Sequence, residues 1–367
     1  MRHSITTFAL MFALGCSAQV GDDTDSAAGA GGDSAQATNG SGGSDSTSSA
    51  AGQQPTDEAP AFIATMTHLE SGWNYDGPDG DAKFDIDVLK IRTGMDIFSA
   101  AGGIMTVESE VPFSTKALAL NSPIFTDLLA ANFGVGSHCD IKSTLDISDE
   151  AMAEEFLLRK EPMDLLIGAN NNLGCSGGAS KSDWVLGAHL AGFKYINGIV
   201  GMHYLSMDED ARPEGWTDDS ILNGGHFHDV SPVDLAHRMH PFMMADATDF
   251  EPDADGVILA NPGELGSLPN FAELEKGQSC SNGCALTSED VDVAIAKIEE
   301  SLAVRDAGRV FKVDLYLPLM LFTEANRAVL ESFIEQVNTT FVETGRLQWG
   351  SQRDVYEAYV AYNATAP

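Results

Sequence analysis

Between residues 61 and 361, short apolar or β-branched runs alternate with stretches whose apolar residues recur at helical spacing. This alternation limits the possible folds more than any other feature. Residues 62–67 have strand character. Over residues 84–101, Val88, Leu89, Ile91, Met95, Ile97 and Phe98 mark a helix, and Gly102-Gly103 stops it. Residues 104–107 make a second strand, 123–132 a helix, and a third strand starts at Gly134. Ser148 opens a helix that runs through Arg159. The apolar run 163–167 is expected to be a fourth strand, followed by a glycine-rich loop at 173–178, a helix over 182–191 and a strand over 194–200. The pattern resumes with a strand at 257–259 and a turn at 262–266. Thr287 and Asp290 form a capping box for a helix to about Arg305. A strand at 310–317, a long helix at 323–343, a strand at 347–349 and a helix opened by Ser351 and Asp354 complete the chain. Alternating strands and helices imply parallel strands covered by helices. Seven or eight such units, with no phosphate-binding glycine fingerprint after the first strand, point to an α/β fold of the irregular (β/α)7-8 barrel type. Residues 201–255 break the rhythm and hold five of the nine histidines, so they read as an insertion over the barrel mouth.

In such a barrel the chemistry sits where strands end. Two strand ends carry a histidine and a carboxylate two residues apart: His68 with Glu70, and His138 with Asp140. Residues i and i+2 of a strand share a side. His68, His138 and Asp140 therefore form a candidate site for zinc or another divalent metal, whose bound water would attack an amide or ester carbonyl. Glu70, Asp140 and Glu108 are the candidate catalytic carboxylates, with Glu70 or Glu108 taking the proton. The competing reading makes the histidines hydrogen-bonding core residues and Asp140 the start of a turn.

Other features have two readings as well. His226 and His228 share a side in an extended loop, where an exposed polar loop is the preferred reading, and His237 and His240 share a helix face, which reads as coincidence of spacing. Glu108 and Glu110 make a carboxylate pair suited to glycosidic cleavage, or a solvated edge, which is the preferred reading. Ser176 lies in Gly-Cys-Ser-Gly-Gly, without the Gly-x-Ser-x-Gly pattern of a nucleophile turn, so its glycines read as allowing a tight bend. Trp73, Trp184 and Trp216 have faces suited to stacking on sugar rings, although Trp184 lies within a helix pattern and reads as core.

The N-terminus has a separate logic. Residues 1–16 combine a basic start, a short apolar run and Gly15-Cys16, the features of a secretory signal. Gly15-Cys16 resembles the lipobox of bacterial lipoproteins, which implies lipidation at Cys16, a membrane partner through the lipid, and a cell-envelope, extracytoplasmic location; ordinary cleavage near Ala18 and secretion is the alternative. Residues 17–60 are rich in Gly, Ser and Asp and read as a disordered linker. A domain over 61–362 follows. The net charge of −35 argues against nucleic acid as a partner. With Cys16 set aside, Cys139, Cys175, Cys280 and Cys284 remain, an even number that suggests disulfides with three possible pairings. Cys280 with Cys284 can close a small loop, which leaves Cys139 for Cys175.

Several of these stretches together resemble the polysaccharide deacetylase-like group (the NodB-homology superfamily). They are Met66-Thr67-His68-Leu69-Glu70, Gly134-Val135-Gly136-Ser137-His138, and Gly174-Cys175-Ser176-Gly177-Gly178 ahead of Asp183-Trp184. The ending Gly345-Arg346-Leu347-Gln348-Trp349 with Val355-Tyr356-Glu357-Ala358-Tyr359 belongs to the same pattern. The resemblance covers about residues 61–361 and implies an irregular (β/α) barrel, a divalent metal held by one Asp and two His, a second Asp as base, and removal of acetyl groups from a glycan. The chain departs from the family at three points. His68-Leu69-Glu70 stands where the family has paired aspartates. Lys142 stands four residues after His138, where a second histidine is usual. No histidine lies near Tyr316-Leu317-Pro318, where a late catalytic histidine is expected. The expected function is an extracytoplasmic, carbohydrate-active hydrolase, with deacetylation of a polysaccharide or amino sugar as its chemistry. The alternatives are an inactive barrel that binds glycan or another envelope component and, third, a glycosidase.

Overall fold

The computed structural model describes residues 58–70, 75–277 and 285–365. Cys16, Trp73, Cys280 and Cys284, and with them the expected leader and the expected 280–284 bridge, lie outside the described residues. The strands are β1 (Ala61–Leu69), β2 (Thr106–Ser109), β3 (Gly134–Cys139), β4 (Gly174–Gly177), β5 (Tyr195–Asn197), β6 (Phe242–Met244), β7 (Ile258–Asn261), β8 (Glu264–Ser267), β9 (Phe311–Tyr316) and β10 (Gln348–Trp349). They form one sheet in the order β6-β7-β5-β4-β3-β2-β1-β9-β8, with β10 pairing to β1. Every pairing is parallel except that of β6 with β7. The sheet curls into an irregular barrel that strand pairing leaves unclosed, with β6 and β8 as its two edges.

Alternation along the strands separates an apolar face from a polar one. On the outer face, Ile63, Val107, Val135, Val313 and Leu315 pack with Ile91 and Phe98 of α1 (Gly80–Ala101) and with Phe113 of α2 (Val111–Ala119). Leu128 of α3 (Ile124–Ala130) joins the same core. A second core gathers Cys139, Cys175, Ile196 and Ala260 with Phe156 of α4 (Asp149–Ile167) and Trp184 of α5 (Trp184–Leu190). Trp184 is fully buried, as its helical position suggested. Each wholly buried aromatic contributes about 1.5–3 kcal/mol by leaving water.

The other face is polar and buried. Glu108, Ser176, Asn197, Asn261, Lys312 and Asp314 all lie on it, each less than 2 % exposed. The last helix closes its lower end. Ser351 and Asp354 cap that helix through two hydrogen bonds of 2.7 Å. Gln352 then reaches inward, accepting from Lys312 Nζ at 2.6 Å and donating to Asp314 Oδ2 at 2.6 Å. Lys312 Nζ also donates to the Asn261 carbonyl at 2.7 Å. A buried lysine is tolerable only with such a full set of partners.

Three sequence expectations are corrected. Residues 163–167 are not a strand but the end of α4, which continues through Pro162 to Ile167; Met163 and Ile167 are buried one turn apart while Leu165 is exposed, which is helical and not alternating burial. The fourth strand is instead Gly174–Gly177, which sequence reading had placed in a loop. Glycine is required there because a Cβ on Gly174 would run into the Tyr195 ring from β5. The bend comes after it, at Gly177 and Gly178, with φ of 70° and 87°. Residues 264–267, expected to be a turn, form β8 beside β9. The 201–255 segment includes short 3-10 turns, two short helices and β6, so part of it extends the sheet.

Candidate metal centre

Parallel strands in register bring β1, β2 and β3 to a common end, because His68 pairs with Glu108 and Glu108 with Gly136. His138 on β3 pairs in turn with Ser176 on β4. His68, Glu70 and His138 each offer a ligand atom within 4.8 Å of the others. The two imidazoles stack with centroids 4.1 Å apart and planes 22° from parallel. Glu70 spans both, with Oε1 3.7 Å from His68 Nδ1 and Oε2 3.4 Å from His138 Nε2.

The far nitrogen of each ring faces a polar group. His68 Nε2 lies 3.3 Å from Glu108 Oε2, and the same oxygen accepts from Asn197 Nδ2 at 3.1 Å. His138 Nδ1 and Ser176 Oγ are 2.8 Å apart. Tyr316, at the end of β9, donates to Glu70 Oε1 at 2.9 Å, and its ring lies 4.9 Å from that of His68. Burial opposes charge on His68, but Glu108 and Glu70 outweigh it and push its pKa up to about 10. His138 is held below the usual histidine value by burial and by the charge on its neighbour His68. Glu70 is lowered: burial works the other way, and the two histidines overcome it. Glu110, the residue ahead of α2, is pushed up to about 7 by burial and by the nearby carboxylates Asp140 and Glu70.

The structure thus places the sequence candidates as follows. His68, Glu70 and His138 come together, with Glu108 directly behind His68. Asp140 is exposed and stands outside that cluster; its carbonyl accepts from Arg159. Glu108 and Glu110 are not a solvated edge. Glu108 is 1 % exposed and faces His68, while Glu110 is half-buried at the rim. A fully buried carboxylate that accepts from an amide and faces an imidazole is poorly placed for the glycosidase reading. Cys139 and Cys175 form a disulfide with Cα atoms 6.0 Å apart, one strand position from the His138–Ser176 pair.

The insertion histidines do not gather into a metal group among the described residues. His203 is buried against Trp184 and pushed down to about 4 by burial. His226 pairs with Asp229 at 2.7 Å and stacks on Trp216. His240 is a core group that accepts from the Asp306 amide through Nε2 at 3.0 Å. Sequence reading missed Asn197 and Tyr316, and it took Ser176 for part of a bend. Tyr316 was within reach of the strand-end rule, since it ends a strand that alternates inward through Lys312 and Asp314. Asn197 had no local signal.

No family model matches the chain, and neither does any curated protein. Solved structures do match. A protein described as a polysaccharide deacetylase from Mycobacterium smegmatis is 13 % identical over 86 % of this chain and 94 % of its own, with a TM-score of 0.52. Another described in those terms, from Pseudomonas aeruginosa PAO1, is 12 % identical over 84 % of this chain and 93 % of its own, also with a TM-score of 0.52. Puue allantoinase is 13 % identical over 86 % and 93 %, with the same TM-score. At such identities the likeness establishes the fold: this is the irregular barrel of the deacetylase type.

Proposed function

We propose that this chain is a metal-dependent hydrolase that removes acyl groups, acetyl foremost, from a glycan. The reading is carried by one observation: two strand-borne imidazoles converge with a carboxylate, and each presents its far nitrogen to a partner, Glu108 or Ser176. Imidazoles that bind metal are oriented in this way, with the outer contact fixing tautomer and ring position. Two nitrogens and one carboxylate oxygen suit zinc or a similar divalent ion. When bound, such an ion lowers the pKa of a water and polarises a carbonyl.

The chain's own residues then divide the work. His68, Glu70 and His138 would hold the ion. Glu108 and Asn197 keep His68 turned toward it, and Ser176 does the same for His138. Glu110, poised near neutrality at the rim, takes the water's proton and later returns it to the leaving nitrogen or oxygen. The similarity to structures described as polysaccharide deacetylases favours an acetylated sugar as the substrate. An extracytoplasmic location is part of the proposal; the Cys139–Cys175 disulfide suits an oxidising compartment, and the signal and lipid anchor expected from residues 1–16 would deliver the chain there.

Zinc titration by calorimetry, followed by acetate-release assays on N-acetylated chito-oligosaccharides and O-acetylated xylo-oligosaccharides, tests the reading. One zinc per chain and metal-dependent acetate release are expected. A protein that binds no divalent ion, and whose melting temperature is the same with and without chelator, would end the metal-hydrolase reading.

A further inference from the structure

The floor of the site consists of buried groups that face one another. His68 faces Glu70 and Glu108 with its two nitrogens, His138 has Ser176 on its far side, and the Asn197 amide donates to Glu108. The His138–Ser176 and Asn197–Glu108 hydrogen bonds cannot open to an incoming ligand without stranding a buried polar group, which costs about 1–3 kcal/mol. The opening is different. The Glu70 side chain is 42 % exposed, whereas those of His68 and His138 are 12 % and 10 % exposed, so a ligand reaches the histidines past Glu70. Tyr316 stands half-buried at the same edge with its hydroxyl on Glu70 Oε1.

The rim near this opening is rich in acceptors, because Glu70 and Asp140 are exposed carboxylates and Glu110 is the group assigned to proton exchange. An acyl carbonyl needs the opposite. Its oxygen gathers negative charge as the carbon becomes tetrahedral, and a positioned hydrogen-bond donor lowers that barrier. The Tyr316 hydroxyl supplies a donor. Its hydrogen rotates about the C–O bond, and its present acceptor is the carboxylate that the proposed function assigns to the metal.

We infer that Tyr316 is a further catalytic residue of this site, whose hydroxyl leaves Glu70 and donates to the carbonyl oxygen of the acyl substrate. The inference rests on the hydrolase reading above. In the addition step the water oxygen bonds to the carbonyl carbon, the carbonyl π pair moves onto its oxygen under the Tyr316 O–H, and the water's proton passes to Glu110. In the collapse the C–N or C–O bond breaks and Glu110 returns that proton to the leaving atom. Tyr316 keeps its own proton throughout. The donor suits substrates with a carbonyl oxygen at the reacting centre, amides and esters.

Tyr316→Phe removes one oxygen from a half-buried ring and leaves the ring's packing in place. Three measurements on the full protein and this variant test the role: zinc affinity by calorimetry, the affinity of the zinc-loaded protein for acetate, and kcat and KM for N-acetylated chito-oligosaccharide. The expected result is zinc affinity within about twofold, acetate binding weakened about tenfold, and kcat down about a hundredfold with KM little changed. Unchanged acetate affinity and kcat would overturn the inference. So would a loss of zinc affinity that accounts for the loss of rate, which would make Tyr316 a positioning residue for Glu70. If the unaltered protein takes up no zinc, the proposed function itself fails and this inference fails with it. Where zinc binds but the oligosaccharide is not cleaved, acetate affinity alone decides: a tenfold loss in Tyr316→Phe supports the donor role, and no loss overturns it.

Discussion

The ligand cluster depends on each of its three side chains. His68→Ala or His138→Ala removes one of three converging donors and should reduce zinc affinity by at least about a hundredfold by calorimetry; retention of tight binding in both variants would show that the cluster is not the metal centre. Ser176→Ala should weaken zinc about 10- to 100-fold by freeing the His138 ring, with little change in melting temperature. Glu110 gives a pH signature. Its carboxyl takes up a proton near pH 7 in the folded chain and near its ordinary value of 4.5 when unfolded. Between those limits the folded state binds more protons, so the stability Glu110 contributes is present at low pH and falls as pH rises toward 7. Glu110→Gln has no such titration. Its stability relative to the natural chain should therefore rise between about pH 5 and about pH 8 in urea unfolding, and an unchanging difference would refute the assignment.

At the scale of elements, β3 and β4 carry the site between them. Their register sets His138 opposite Ser176, and Cys139, one position after His138, joins Cys175, one position before Ser176, through a disulfide that spans 36 residues of sequence. Replacing both cysteines by serine should cost about 3–4 kcal/mol from unfolded-state entropy alone. The loss is read from the urea midpoint, and a loss below about 1 kcal/mol would mean that packing around β4 and not the covalent link holds the pair. These two strands also show why part of the fold was illegible. Residues 163–167 read as a strand because a short apolar run has no period of its own, and only packing shows that it ends α4. Gly174–Gly177 has almost no strand propensity, and Tyr195 lying across Gly174 explains the glycine. By contrast, the Thr287–Asp290 and Ser351–Asp354 caps were readable because capping is a matter of a few adjacent residues.

Across the whole molecule, the barrel interior acts as a polar scaffold that ends at the site. The Lys312, Asp314, Asn261 and Gln352 network joins β9, β7 and the last helix below the level of Glu108 and Asn197. Asp314→Ala removes the carboxylate 3.1 Å from a fully buried ammonium group and should destabilise the chain by about 3–5 kcal/mol. Chemical denaturation measures this; a cost below about 1 kcal/mol would mean that Lys312 is satisfied without Asp314. The net charge of −35 adds self-repulsion that salt screens.

What the chain alone determined is local in its physics. Alternation of strand and helix set the architecture, β-strand periodicity put His68 with Glu70 on one side, and the stops and caps of the main helices followed from neighbouring residues. The tertiary structure decided everything that depends on register between distant strands. It brought Glu70, and not Asp140, between the two histidines, set Glu108 behind His68, and carried Tyr316 across from β9 to the same opening. Which side chain faces which across a curled sheet depends on shear and on the glycines that let neighbouring strands approach. Those are properties of the packed whole, and no single stretch of sequence contains them.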